Sequence, residues 1–234
     1  MAEGGAGGGA GGGTSGAGDR TPSDAAPAVF NVLLVGVGGQ GIVLASDILA
    51  EAALESGLDV KKSEIHGMSQ RGGPVFSHVR FGPGPVHSPT IPQGEADVIY
   101  ALERMELLRW AAWARPDRRG AACYVAQDLM PSGVTAYPDG VEDQIGELFG
   151  TVVRFDPRAM RDQVSPKVRN VALLGAVSAW APLEVAAYAA VLPRLCPPGT
   201  AEVNLAAFDL GRRLALDTIG APAATAAGLA GRGR

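Results

Sequence analysis

Residues 31–41 read NVLLVGVGGQG, an apolar run that ends in a six-residue segment holding four glycines. A short run of this kind, without polar alternation and closed by a turn, is the pattern of a strand buried on both faces, as in a parallel sheet. Gly36, Gly38, Gly39, Gln40 and Gly41 then form a tight turn into a helix start, where backbone N–H groups and the helix dipole favour an anion such as phosphate. Residues 42–56 continue as that helix, with Ile42, Ala45, Leu49 and Ala52 near one face and Gly57 placed to stop it. The spacing matches the dinucleotide fingerprint Gly-x-Gly-x-x-Gly, and Glu64, near the end of the next predicted strand, stands where an acidic residue would meet a ribose. The same glycines also have a purely structural use, because they let the helix lie close to the sheet.

Beyond this unit, residues 59–65 predict a second strand, followed at 66–75 by HGMSQRGGPV. That segment is too rich in glycine and polar groups for regular structure. Residues 75–81 alternate, with Val75, Ser77, Val79 and Phe81 on one side and Phe76, His78 and Arg80 on the other, which predicts a half-buried strand. Residues 82–94 carry four prolines and three glycines and read as a loop. Strands are expected at 97–102, 121–126 and 151–155, and helices at 103–113 and 142–149. The last third changes character: 168–180, 184–192 and 204–216 are alanine-rich helices, the first two separated at Pro182. Helices so apolar on more than one side pack against other helices or another chain. The order predicts a Rossmann-like, doubly wound α/β fold with a mainly parallel sheet and a helical C-terminal portion.

Composition narrows the function classes. Residues 1–27 are mostly Gly, Ala and Ser and cannot bury enough surface to offset their ordering entropy, and 220–234 are similar. One domain is therefore expected at 28–219, between a disordered extension and a disordered tail. No stretch has the uninterrupted apolar length of a membrane span. A net charge of −4 gives no electrostatic case for nucleic acid or an anionic membrane. The lysines are three, Lys61, Lys62 and Lys167. Cys123 and Cys196 form no Cys-x-x-Cys pair, so this chain alone offers no thiolate set for zinc or an iron–sulfur cluster. Two separated cysteines suit a reducing cytoplasm.

IHGMSQRGGP at residues 65–74, preceded by GVGGQG, strongly resembles the gamma-type domain of the 2-oxoacid:ferredoxin oxidoreductases, and within that family the beta subunits of the indolepyruvate enzymes. The first helix, Ser88-Pro89-x-Ile91-Pro92, Gly94-Glu95-Ala96-Asp97 and NVALLG at 170–175 extend the likeness over residues 29–218. The resemblance implies a complex that oxidatively decarboxylates a 2-oxoacid to acyl-CoA and carbon dioxide. An alpha-type partner subunit would hold thiamine diphosphate, Mg2+ and [4Fe-4S] clusters, coenzyme A would take the acyl group, and ferredoxin would take the electrons. This chain would hold no cofactor by itself and would be inactive alone. Its own residues agree: no Gly-Asp-Gly with a following metal-binding Asn is present.

The loop offers candidates for binding. Arg71 is a permanently charged fork suited to phosphate or carboxylate, and Gly72 with Gly73 permits close backbone approach. Ser69 and Gln70 supply neutral hydrogen bonds, and His66 titrates near neutrality or bonds to a backbone carbonyl. These residues meet either an anionic part of coenzyme A or only the partner subunit. His78, His87 and the tryptophans Trp110, Trp113 and Trp180 are expected to be structural. Three other readings stand beside the main one: the gamma subunit of a pyruvate or 2-oxoglutarate enzyme, a free-standing NAD(P)-binding dehydrogenase domain, and a scaffold that has lost all ligands and only completes a partner's fold.

Overall fold

The computed structural model describes residues 29–66, 73–116, 119–126, 137–158 and 162–220. The disordered ends expected at 1–27 and across 221–234 lie outside the described residues. The opening apolar run is β1, Phe30–Val37, buried along all but its last residue. Val32 and Leu34 face one core, while Leu33 and Val35 face another. Burial on both sides explains why the run shows no polar alternation. The glycine turn follows, and then α1, Ile42–Glu55, which buries Ile42, Ala45, Ile48, Leu49 and Ala52.

Five more strands complete one sheet: β2 (Asp59–His66), β3 (Pro74–Gly82), β4 (Val98–Ala101), β5 (Ala121–Val125) and β6 (Thr151–Phe155). Their order is β2-β3-β1-β4-β5-β6. β1, β4, β5 and β6 pair in parallel, whereas β3 pairs antiparallel with both β1 and β2. Only residues 67–73 separate β2 from β3. A parallel crossover needs about a dozen residues or more, so the chain returns as a hairpin instead. The architecture is the mainly parallel α/β fold expected, with one antiparallel strand inserted beside β1.

That insertion corrects two expectations. β3 is not half-buried: Val75, Ser77, His78, Val79 and Phe81 are all buried, because β3 lies inside the sheet and Val86 and Ile91 of the following loop are buried with it. Glu64 does not reach the ribose position, since β3 separates β2 from β1; its carboxylate pairs with Lys62 at 2.8 Å.

Helices cover both faces. α2 (Arg104–Arg109) and α3 (Val141–Leu148) pack on the Leu33 side. The predicted helix at 103–113 is thus shorter, and a 3-10 turn follows at Ala111–Trp113. Glu103 is its N-cap, accepting the Met105 and Glu106 amides at 3.0 and 2.9 Å. On the Val32 side lie α1, α4 (Arg169–Val177), α5 (Val185–Leu195) and α6 (Ala201–Ile219). α4 is buried from Asn170 through Val177, as its all-round apolar sequence requires. α6 crosses it at two glycines. A Cβ on Gly175 would lie 2.0 Å from the Phe208 carbonyl oxygen, and one on Gly211 would lie 1.7 Å from that of Ala172.

Candidate functional site

After β1 the chain passes to a helix on one face of the sheet, and after the adjacent β4 to a helix on the other. In open α/β sheets the crevice at such a switch point, beyond the carboxyl ends of the strands, is where ligands bind. The glycine turn and residues 102–103 flank it here, and Gln40 ties them together. Its Oε1 accepts the Val37 amide at 2.6 Å, and its Nε2 donates to the Leu102 carbonyl at 2.9 Å. Gly36 makes room for this side chain, since a Cβ there would meet Gln40 Oε1 at 2.7 Å. Gly39 and Gly41 have φ of 93° and 88°, the left-handed region that favours glycine.

The two motifs singled out in the sequence meet at this end of the sheet. The Gly38 amide donates to the Gly73 carbonyl at 2.9 Å, and Val37 and Gly36 stand opposite Pro74 and Val75. Two turn amides are thereby engaged internally, Gly38 with Gly73 and Gln40 with the Val37 carbonyl at 3.2 Å. His66 faces Val75 across the β2–β3 ladder, one strand farther from the turn. Ser69, Gln70, Arg71 and Gly72 lie outside the described residues.

Asn170, which the sequence reading quoted only within NVALLG, belongs to this site. It is 6% exposed, and its Nδ2 donates to the Gly41 carbonyl at 3.3 Å. A Cβ on Gly41 would lie 2.4 Å from that Nδ2, so the third glycine of the fingerprint makes space for Asn170. The buried Tyr100 hydroxyl donates to the Asn170 carbonyl at 3.0 Å, holding α4 against β4. Burial holds the Tyr100 phenol well above its ordinary pKa, so it stays a donor. The signal in the sequence was one polar amide at the head of an otherwise apolar helix.

A polar cluster borders the site on the α2 side. The Tyr137 hydroxyl donates to Glu103, and Arg104 lies over the Tyr137 ring at 4.6 Å from its centroid. Glu142 accepts from the Tyr124 hydroxyl and pairs with Arg104 at 3.3 Å and Arg154 at 3.5 Å. Burial raises the pKa of Glu106, and the nearby Arg109 partly opposes that rise. Among the described residues, no group of three or more His, Cys, Asp or Glu side chains is placed to hold a metal ion.

Several other residues marked in the sequence are architectural. Asp97 accepts the Asn31 amide at 2.9 Å and Arg115 Nε at 2.6 Å. His78 Nδ1 accepts the Ile91 amide at 3.1 Å, which fixes the proline-rich loop on β3. Trp110 packs on Phe76 and Trp113, with centroids 4.3 and 4.7 Å apart, and Trp180 packs against the opposite core.

Residues 31–214 match the model of the pyruvate ferredoxin/flavodoxin oxidoreductase family. The indolepyruvate oxidoreductase subunit IorB of Thermococcus kodakarensis is 36% identical over 201 residues, which cover 82% of this chain and 98% of that protein. The 2-oxoglutarate synthase subunit KorC of Methanothermobacter thermautotrophicus is 28% identical over 190 residues, covering 80% of this chain and 95% of that one. Among solved structures, the gamma subunit of a keto/oxoacid ferredoxin oxidoreductase from Geobacter sulfurreducens superimposes with a TM-score of 0.63 at 27% identity. It covers 82% of this chain and 98% of that one.

Proposed function

The chain belongs to the pyruvate ferredoxin/flavodoxin oxidoreductase family, and from that membership we propose that it is the non-catalytic, beta-type subunit of an arylpyruvate-oxidising enzyme of the indolepyruvate class. The observation that carries the reading is the near full-length similarity to IorB, at 36% identity against 28% for the 2-oxoglutarate relative. The alpha-type partner subunit holds thiamine diphosphate, Mg2+ and [4Fe-4S] clusters, which supply the decarboxylation and electron-transfer chemistry; coenzyme A and ferredoxin are the acceptors. No helix among the described residues is long and apolar enough to cross a membrane, and the proposed compartment is the cytoplasm.

What this chain contributes is a positioned backbone. Gln40 locks the glycine turn to the segment after β4, and the Gly38–Gly73 bond sets the end of the 66–73 loop against that turn. Arg71, with Gly72 beside it, makes a two-pronged contact to a phosphate of coenzyme A or to a partner carboxylate. The NAD(P) reading fares worse. The Gln40 side chain bridges the two segments that flank the crevice, amides of Gly38 and Gln40 are already bonded, and Glu64 is two strands from β1.

The test is reconstitution. The chain co-purified with its large partner is expected to reduce ferredoxin or a viologen dye with an arylpyruvate and coenzyme A, while the chain alone does neither. Turnover by the single chain refutes the division of labour, and preference of the complex for pyruvate refutes the substrate class. In the complex, Arg71→Ala is expected to cost about ten- to a hundredfold in an equilibrium, the loss of one charge-assisted hydrogen bond. A raised KM for coenzyme A assigns Arg71 to the ligand, and weakened subunit association assigns it to the interface. Wild-type behaviour in both sinks either role.

A further inference from the structure

β2 is an edge of the sheet: it pairs with β3 on one side, and no other described strand pairs with it. Such an edge presents a row of N–H and C=O groups to a partner strand, and charged side chains, lysine above all, commonly guard it against pairing. On β2 the guarding charges are of both signs. Its charges are Asp59, Lys61, Lys62 and Glu64, two of each sign, and Ile65 is 48% exposed. Two of the chain's three lysines lie here, and both are matched by acids: Lys61 by Asp59 at 2.9 Å, and Lys62 by Glu64 at 2.8 Å and by Asp47 of α1.

Symmetry restricts how this edge meets a second copy. A two-fold axis that joins two edges into one antiparallel sheet stands perpendicular to the sheet, so it returns each face to itself. Directly opposed residues share a face. A residue can therefore oppose only positions of its own parity, and some residue must oppose its own copy at the axis. With Lys62 at the axis the two Lys62 ammoniums face each other, and with Lys61 there the two Lys61 do. With Glu64 there, the carboxylates do. With Ser63 at the axis, Lys62 opposes Glu64 of the second copy twice over, and Lys61 opposes Ile65, whose exposed side chain the lysine stem covers. These four registers are those that pair five or more residues of β2, and among them only the one centred on Ser63 sets opposite charges face to face without setting like charges so.

We propose that β2 is a homotypic docking edge, through which two copies of this chain join their sheets antiparallel about a two-fold axis at Ser63. The occupant is a second copy because the charge pattern of this strand complements itself in that register.

Sedimentation of the full chain is expected to show a concentration-dependent dimer. Lys62→Glu and Glu64→Lys each place like charges opposite one another and are expected to weaken the dimer at least tenfold. An equimolar mixture of the two variants restores both opposed pairs and is expected to recover association as a heterodimer. A fold damaged by either substitution cannot reproduce that recovery. Ser63→Cys is expected to form an inter-chain disulfide on mild oxidation, whereas Asp217→Cys on α6 does not. A monomer at every concentration overturns the proposal, as does a dimer indifferent to Lys62→Glu. Failure of the mixture to associate, or a dimer in which Ser63→Cys does not cross-link, overturns the register.

Discussion

Replacing Gln40 by methionine keeps the length of the side chain and removes both of its hydrogen bonds. The bonds at stake are the Val37 amide to Oε1 at 2.6 Å and Nε2 to the Leu102 carbonyl at 2.9 Å. Each net intramolecular hydrogen bond contributes about 0.5–1.5 kcal/mol, so the pair is worth about 1–3 kcal/mol. Val37 is only partly buried, which lets water recover some of the loss at its amide. For a domain of this size the corresponding fall in Tm is about 2–12 °C. Gln40→Ala removes the packing against Gly36 as well and is expected to fall at the upper end. Urea titration of the full chain, read by tryptophan fluorescence, measures both variants on one scale. A Gln40→Met protein within about 0.5 kcal/mol of wild type, the ordinary scatter of surface substitutions, refutes the view that this side chain locks the crevice.

Other expectations follow from the packing and from one buried imidazole. Gly211→Ala ordinarily gains about 1 kcal/mol of helix propensity. Here the added Cβ sits 1.7 Å from the Ala172 carbonyl oxygen, so the sign reverses: a net loss of at least about 1–3 kcal/mol is expected in thermal or urea melts. Burial, assisted by the nearby Arg80, lowers the pKa of His78 below its ordinary value near 6.5. The unfolded chain therefore takes up the proton first as pH falls. Stability from this site is full above about pH 6.5 and declines below it until the folded-state value is passed. His78→Gln is expected to flatten that segment of the stability–pH curve, and an unchanged slope assigns the effect elsewhere.

The parts of the fold most legible in the sequence were those whose cause is local. β1 announces itself by apolar residues on both faces, and α1 by the spacing of Ile42, Ala45, Leu49 and Ala52 before Gly57. The place of β3 was harder to read. Its alternation fits a half-buried strand, and it is buried because a hairpin too short to cross over forces it between β2 and β1. The dinucleotide fingerprint was read correctly as a strand–turn–helix, but its meaning depends on tertiary partners. Gly36 accommodates Gln40 and Gly41 accommodates Asn170, which lies 129 positions away. No window around the turn contains that information. Likewise, Glu103 reads as the first residue of a helix, and only the bonds to the Met105 and Glu106 amides make it the cap.

The layering has a consequence for how the chain acquires its fold during synthesis. Every described strand is complete once residue 155 has emerged, and α2 and α3, which cover the Leu33 side, precede that point. The opposite side of β4, β5 and β6 carries Tyr100, Cys123, Val153 and Phe155, and its cover includes α4 and α6, which are made last. Between residues 155 and 219 a nascent chain thus presents one finished face and one face that α1 covers only in part. α4 alone leaves one side uncovered, because its Gly175 surface receives the backbone of α6 at Phe208. Closure of the second face awaits α6, and a chain ending before residue 211 would leave apolar surface of α4 and β6 open to aggregation.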